Sequence, residues 1–96
     1  TMSPQKIVDL VVDNLNEKIK VESVTISNHI VVVSFEPDSV PLKCCTKKVE
    51  RLTLECIANS LIDNAKGCQK VVFRSGGKAY KSKHLSLSLN EVFASE

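Results

Sequence analysis

A segment near the middle of the chain constrains the fold more than any other. From Thr46 onward, apolar side chains recur at helical spacing, and the threonine hydroxyl is placed to cap the first turn. The sequence NAKG at residues 64–67 predicts the end of this helix, because glycine readily adopts the left-handed conformation found there. Residues 69–74, QKVVFR, then predict a β-strand. The predicted apolar face comprises Val49, Leu52, Leu54, Cys56, Ile57, Leu61, Ile62 and Ala65, with the polar positions Lys47, Lys48, Glu50, Arg51, Glu55 and Asp63 mostly opposite.

The predicted helix also limits what the four cysteines can do. Cys44 and Cys45 precede it, Cys56 lies near its middle and Cys68 follows its end. A helix of about 20 residues is roughly 30 Å long, which separates Cys56 from either end by about 15 Å. A disulfide requires Cα atoms within about 7 Å, so only the adjacent Cys44 and Cys45 could pair, with strain. No C-x-x-C pair suggests zinc. We predict four free thiols, with Cys56 buried as a small hydrophobic residue.

The other elements are predicted from local signals of the same kind. They are a helix over residues 4–17 opened by Ser3-Pro4, strands at 21–26 and 29–35 joined by a turn at Ser27-Asn28, a loop at 36–41 and a turn at Ser75-Gly76-Gly77-Lys78. The strand at 29–35 is nearly all apolar, which favours a central position in the sheet. Leu85, Leu87 and Leu89 alternate with serines, so they predict either an extra edge strand or an extended tail packed on the core.

This order of elements, α-β-β-α-β, predicts an α+β fold. We expect two helices packed on one face of a small mixed three-stranded sheet, with a possible additional C-terminal edge strand. The first two strands form an antiparallel hairpin, and the long helix links the second strand to a parallel third strand by a right-handed crossover. The chain of 96 residues, of which 43% are hydrophobic and 25% charged, is expected to form a single domain, residues 1–96.

Charge is divided unevenly along the chain. Residues 1–42 carry three lysines and six acidic residues, a net charge of −3, whereas residues 43–96 carry ten basic and five acidic residues, a net charge of +5. Solvated faces can differ in this way by chance. The alternative is a dipolar domain that docks head to tail, acidic face on basic face. The apolar runs are all shorter than the roughly 20 residues of a membrane span, and no signal peptide is visible.

Four stretches together resemble a known family over nearly the whole chain. They are VESVTISNHIVVVSFEPDS at residues 21–39, VERLTLECIANSLIDN at 49–64, CQKVVFRSGGKAY at 68–80 and LSLSL at 85–89. Their apolar pattern and turn placement resemble the GerMN domain, the sporulation and spore germination family. The chain departs from the family pattern at Ser34-Phe35, where an acidic residue and a leucine often stand, and in the cysteine-bearing loop before the long helix.

The resemblance implies a role outside the cytoplasm of spore-forming or related bacteria. It implies a non-enzymatic, extracytoplasmic domain of a lipoprotein or membrane-tethered protein, held at the membrane only by an anchor outside this chain. The fold is similar to the ring-building motif, so the implied partners are other proteins, including further copies in a ring. No cofactor or small-molecule substrate is implied. In that setting the uneven charge would give neighbouring subunits complementary edges.

The residues themselves predict no catalytic, metal or cofactor site. His29 and His84 stand outside any nucleophile motif and are expected on the surface. The Ser75–Lys78 sequence SGGK follows a strand and precedes an extended segment, so it predicts a turn rather than a phosphate-binding loop. The one predicted interaction site is a basic patch around the start of the long helix, composed of Lys43, Lys47, Lys48 and Arg51.

Two other functions remain open at this point. The element order also resembles a KH-like nucleic-acid-binding module, and a second basic cluster, Lys78, Lys81 and Lys83, lies late in the chain. A KH module needs a G-x-x-G loop between helices, and this sequence lacks one. An accessory domain that binds cell-wall material through an uncovered sheet face is the third possibility, which exposed valine or phenylalanine on that face would favour.

Overall fold

The computed structural model describes residues 2–15, 18–39 and 46–94. The elements in order are α1 (Pro4–Asp13), β1 (Val21–Ser27), β2 (Ile30–Phe35), α2 (Lys47–Asn64), β3 (Lys70–Ser75) and β4 (Lys78–Ala79). The four strands form one mixed sheet in the order β1-β2-β3-β4. The predicted α+β class is therefore confirmed, whereas the prediction of three strands is wrong because the Gly76-Gly77 turn folds β4 back onto β3.

Both helices begin where their capping residues predict. The Ser3 side chain accepts a hydrogen bond from the Lys6 amide at 3.2 Å, and Thr46 Oγ1 accepts one from the Val49 amide at 3.2 Å. α1 ends at Asp13, earlier than the predicted residue 17, and Asn14 forms its C-terminal cap. The Asn14 amide donates to carbonyl groups of the preceding turn, which satisfies acceptors that the end of a helix would otherwise leave without a donor.

The hairpin and the crossover follow the predicted topology. β1 and β2 pair antiparallel, and β2 and β3 pair parallel. The hairpin turn is Asn28-His29, one residue later than predicted, and both residues have positive φ, 51° and 66°. A two-residue turn of this conformation matches the twist of the flanking strands. His29 Nδ1 hydrogen-bonds to the Gly67 carbonyl at 2.9 Å, which ties the turn to the end of α2.

The leucine-rich segment forms an extended tail and not an edge strand. Leu85 is buried, Leu87 is partly buried against the core and Leu89 is exposed. Two isolated bridges, Lys81 with Ser86 and Val72 with Val92, hold the tail without forming a continuous ladder. The tail returns to the sheet at its end, where the Phe93 amide donates to the Val71 carbonyl at 2.8 Å.

A single aliphatic and aromatic core joins the sheet to both helices. α1 contacts α2 and β1, and α2 also contacts β3. The core includes Val31, Val33 and Phe35 of β2, Val71 and Phe73 of β3, Ile7 and Val8 of α1, and Leu54, Ile57, Ala58 and Leu61 of α2. The strand residues occupy alternate positions, and alternate positions of a strand share one face of the sheet.

The buried face of α2 includes only part of the predicted one, since Leu54, Ile57, Leu61 and Ala65 are buried as predicted and the other members are not. Glu50, Leu54, Ile57 and Leu61 are fully buried, and Thr53 is nearly so. Val49, Leu52, Cys56 and Ile62, which the sequence placed in the core, are exposed. Val49, Leu52 and Cys56 recur at spacings of three and four residues. The stripe from Glu50 through Leu54 and Ile57 to Leu61 does the same, so periodicity alone did not choose between them. Because α2 packs against β3 and α1, one stripe is buried in these contacts and the other faces solvent.

Candidate interaction site

The predicted basic patch lies at the beginning of α2. Lys47 and Lys48 are exposed in the first turn, and Arg51 is half-buried. Lys43 lies outside the described residues, so its part in the patch stays a prediction. With Leu52 and Glu55, the three described basic residues line an open depression of about 580 Å³. Three positive charges against one negative charge make this depression cationic.

Arg51 is held in place by the C-terminal tail. Its guanidinium carbon lies 5.5 Å above the centre of the Phe93 ring, and Nη2 donates to the Ala94 carbonyl at 3.4 Å. The Phe93 ring in turn packs edge-to-face on Phe73 of the core, with 5.3 Å between ring centres. A cation over an aromatic face is attracted by the ring quadrupole, so Arg51 joins α2 to the tail while remaining part of the depression.

An apolar stripe runs along the exposed side of α2 beside the lysines. Val49 is 41% exposed and Leu52 is 53% exposed, and Cys56 continues the same line one turn later. Isolated exposed apolar residues are common on protein surfaces. Three at spacings of three and four residues form a contiguous surface, and such a surface indicates an interaction site. We call Lys47, Lys48, Val49, Leu52 and Cys56 the α2 surface.

A second depression, of about 540 Å³, lies between the start of β1 and the loop after β2. Its charged lining is Glu22, Glu36 and Asp38 with Lys18 and Lys20. Three carboxylates against two ammonium groups give it the opposite net sign to the depression on α2. We call this lining the acidic cleft. The uneven charge seen in the sequence is therefore present in the structure as two separate local surfaces.

A buried carboxylate in α2 was missed by sequence reasoning. Glu50, assigned to the polar side, is fully buried, and its Oε2 accepts a hydrogen bond from the Tyr80 hydroxyl at 2.5 Å. Its Oε1 has no hydrogen-bond partner among the described residues. The first turn of a helix favours a carboxylate because of the helix dipole. The available signal was spacing, since Glu50 lies four, seven and eleven residues before Leu54, Ile57 and Leu61.

The remaining candidate residues do not assemble into a reactive site. His29 lies in the hairpin turn and His84 in the tail, both exposed. The described ranges contain no cluster of three or more histidine, cysteine or acidic side chains able to hold a metal ion. In the same ranges, no helix combines the length and hydropathy that crossing a membrane requires.

The two described cysteines are free thiols, as predicted. Cys56 is exposed, so its predicted burial is wrong, because it lies on the outward stripe of α2. Cys68 is the buried one, and removal from water raises the pKa of its thiol, against smaller opposing effects of backbone hydrogen bonds at Lys70 and Val31. Cys44 and Cys45 lie outside the described residues.

No family model, curated protein or solved structure matches the chain.

Proposed function

We propose that this chain is a non-catalytic protein–protein interaction domain that assembles with further copies of itself through the α2 surface. The observation that carries the proposal is the outward stripe of Val49, Leu52 and Cys56 beside Lys47 and Lys48. Exposing this apolar area to water is unfavourable, and burying it against a partner recovers roughly 25 cal/mol per Å². An apolar centre with a charged rim is the common anatomy of protein interfaces.

The acidic cleft is the proposed receptor for the α2 surface. Glu22, Glu36 and Asp38 complement the lysines at the start of α2. The two surfaces use different residues of the chain, so the contact is heterologous, and repeated heterologous contacts close into rings or extend into filaments. Arg51 supports this arrangement because the Phe93 ring already restrains it, which lowers the entropy lost on binding.

This assembly agrees with what the GerMN resemblance implies. Under the proposal, both helices form one layer on the sheet, as in a ring-building-type domain, and leave the α2 surface outward. The extracytoplasmic location, the lipoprotein or membrane tether outside this chain and the role in sporulation or germination are proposed from the resemblance alone.

The rival functions receive less support from the surfaces. The chain has three phenylalanines and one tyrosine, and Phe35, Phe73, Tyr80 and Phe93 are all buried. No aromatic side chain is thus offered for base stacking, on which single-strand binding usually depends. On the sheet face opposite the core, Val72 is buried and Val32 only half-exposed. Val92, which bridges to Val72 from the tail, is 41% exposed, so among the described residues that face offers one exposed valine and no exposed phenylalanine to a cell-wall partner.

Sedimentation velocity across a range of protein and salt concentrations tests the proposal. The wild-type chain should self-associate, and association should weaken as NaCl rises from about 50 to 500 mM because exposed charges are screened. The double variant Lys48→Glu/Leu52→Ser should raise the dissociation constant by about tenfold or more. The matched control Lys66→Glu/Leu89→Ser changes an exposed lysine and an exposed leucine outside the α2 surface. It should stay within about twofold of wild type.

Two results would overturn the proposal. One is a wild-type chain that stays monomeric at every concentration and salt tested. The other is association that both double variants weaken equally, since the α2 surface would then have no specific part in it.

A further inference from the structure

The two edges of the sheet differ in what lies beside them. At the β3 edge, β4 pairs with Arg74 and Ser75, and Val92 of the tail forms a bridge with Val72. β1 is the terminal strand on the other side, and within the described ranges no strand lies along its outer edge. β4 and the tail thus cover the β3 edge, whereas β1 has a neighbouring strand on one side only in the part of the chain that the structure describes.

The sequence of β1 lacks the features that usually block an edge strand. Natural edges carry charged side chains, proline or bulges that prevent another strand from adding. In β1 the register shift lies at the start of the strand, between Val21 and Ser23, next to its one charged residue, Glu22. From Ser23 to Ser27 the strand reads SVTIS, with no charge, no proline and an unbroken register against β2.

The hydrogen bonds around β2 establish which backbone groups of β1 face outward. The His29 carbonyl accepts from the Lys70 amide at 3.2 Å and the Phe35 carbonyl from the Gly76 amide at 2.8 Å, so odd-numbered residues of this strand point toward β3. Even-numbered residues, such as Val32, therefore point toward β1, because strand backbone groups alternate sides.

The strand register then identifies which backbone groups of β1 point away from β2. Ser23, Thr25 and Ser27 stand opposite even-numbered residues of β2 and share the hydrogen bonds between the two strands. The amides and carbonyls of Val24 and Ile26 consequently point to the free edge. These four polar groups are spaced as the next strand of an antiparallel sheet would require.

We propose that two copies of the chain pair antiparallel along their β1 edges, about a twofold axis at Thr25. Val24 of one copy then stands opposite Ile26 of the other, and the two outward residues of each strand exchange hydrogen bonds with their counterparts. Thr25 of one copy stands opposite Thr25 of the other in a non-hydrogen-bonded pair. The two sheets become one eight-stranded sheet with an isologous interface.

The side chains on the core side of the sheet favour this register. Val24 and Ile26 lie on the face of Val33 and Val31, their partners in β2. In the single copy the Ile26 side chain is 43% exposed, so part of this apolar side chain is in contact with water. In the proposed register Val24 of the second copy covers Ile26, forming an apolar cross-strand pair on each side of the axis.

The opposite face and the strand ends are also self-complementary. Thr25 meets Thr25, and Ser23 meets Ser27, pairs of small hydroxyl side chains that suit neighbouring strands. Glu22 meets Asn28, so no like charges face each other. Moving the axis to Val24 would instead place Glu22 opposite Ile26 and lose both apolar pairs. This contact is twofold and has no charged pair, and it shares only Glu22 with the head-to-tail contact proposed for the α2 surface.

Disulfide trapping tests the register directly. In a chain with Cys44, Cys45 and Cys56 replaced by serine, Thr25→Cys places two thiols opposite each other at the axis. The Cα atoms of such a non-hydrogen-bonded pair are about 4.5 Å apart, which is within the range of a disulfide. Oxidised glutathione, which accepts the two electrons, should convert most of this variant to a covalent dimer. Ser27→Cys, exposed on the same strand and face, should remain largely uncrosslinked because Ser23 stands opposite it.

Sedimentation equilibrium tests the dimer without a covalent bond. Thr25→Lys places two like charges at the axis and should raise the dimer dissociation constant by about fivefold or more. Ser27→Lys carries the same charge without a like-charged neighbour and should change it by less than about twofold. Circular dichroism should show the same fold for both variants, since both side chains are exposed.

The outcomes separate this dimer from the α2 contact. The proposal is overturned by a wild-type chain that is monomeric up to about 1 mM, by equal effects of the two lysine variants, or by equal crosslinking of the two cysteine variants. The edge dimer should keep its affinity in Lys48→Glu/Leu52→Ser and in 500 mM NaCl, whereas the α2 contact should weaken under both conditions and be unaffected by Thr25→Lys.

Discussion

The Tyr80 hydroxyl donates a hydrogen bond to Glu50 Oε2 at 2.5 Å, and both side chains are fully buried. The bond joins the first turn of α2 to the residue that follows β4. Tyr80 also packs edge-to-face on Phe35, with 6.0 Å between ring centres, and its carbonyl accepts from the Leu87 amide at 2.9 Å. The pair therefore fixes the tail against the helix from inside the core.

Removing the tyrosine hydroxyl should destabilise the domain. In Tyr80→Phe the ring still fills its space, but Glu50 loses its hydrogen-bond donor, and a buried acceptor without a partner costs about 1–3 kcal/mol. Urea unfolding should show this decrease in the free energy of unfolding. Ser86→Ala, an exposed change in the same tail, should alter it by less than about 0.5 kcal/mol. A Tyr80→Phe variant as stable as wild type would show that the bond contributes nothing.

The N-terminal cap of α2 should matter more than its exposed position suggests. Thr46→Ala removes the side-chain acceptor for the Val49 amide and should lower the free energy of unfolding by about 1 kcal/mol. Thr46→Ser, which retains the hydroxyl, is the control and should recover most of the loss. Thermal unfolding followed by circular dichroism measures both. Equal losses in the two variants would show that the methyl group, rather than the cap, is responsible.

The two glycines of the β3–β4 turn should respond differently to alanine. Both have positive φ, 58° at Gly76 and 76° at Gly77, so each alanine should cost roughly 1–2 kcal/mol in backbone strain. A Cβ at Gly76 would also lie 3.0 Å from Pro37 Cγ, whereas one at Gly77 meets nothing within 4 Å. Gly76→Ala should therefore be the less stable variant in urea unfolding. The reverse order would contradict the contact with Pro37.

The two described thiols should react at very different rates. In a chain with Cys44 and Cys45 replaced by serine, iodoacetamide should modify exposed Cys56 readily and spare buried Cys68 until the protein unfolds. Mass spectrometry of timed samples measures both sites. Equal modification of the two thiols under native conditions would contradict the burial of Cys68.

Stability should also decline in mildly alkaline solution. Burial raises the pKa of Cys68, so the folded chain keeps this proton to a higher pH than the unfolded chain does. Above about pH 8.5 the unfolded state therefore binds fewer protons, and the free energy of unfolding falls as pH rises. Below that pH the Cys68 thiol is protonated in both the folded and the unfolded chain, so it adds no pH dependence to the free energy of unfolding. Cys68→Ala should lessen the alkaline decline, and an unchanged slope would assign it to other groups.

Signals confined to a few neighbouring residues predicted much of the fold. Ser3 and Thr46 cap their helices, α2 ends within the predicted NAKG stop with Ala65 as its C-cap, and the Val/Ile run at residues 30–35 is a central strand. Each of these depends on backbone geometry that the residue itself favours. The exposure of Lys47 and Lys48 likewise follows from their own charge, because lysine is seldom fully buried.

Other features depended on contacts between distant parts of the chain. β4 consists of two residues that align with β3, too short to carry a periodic signal. Among the described residues β1 has no strand on its outer side, and the tail returns to β3 instead. Nothing in the local sequence of either strand specifies this choice.

The sequence by itself determined the α+β class, the helix starts, the hairpin and the parallel crossover, because capping, turn chemistry and chirality act over short stretches of chain. Only the tertiary structure decided which stripe of α2 is buried, placing Glu50 against Tyr80 and leaving Val49, Leu52 and Cys56 outside. The physical reason is that two stripes of the same helix had equivalent spacing. Packing against β3, α1 and the tail stabilised one of them at the cost of exposing the other.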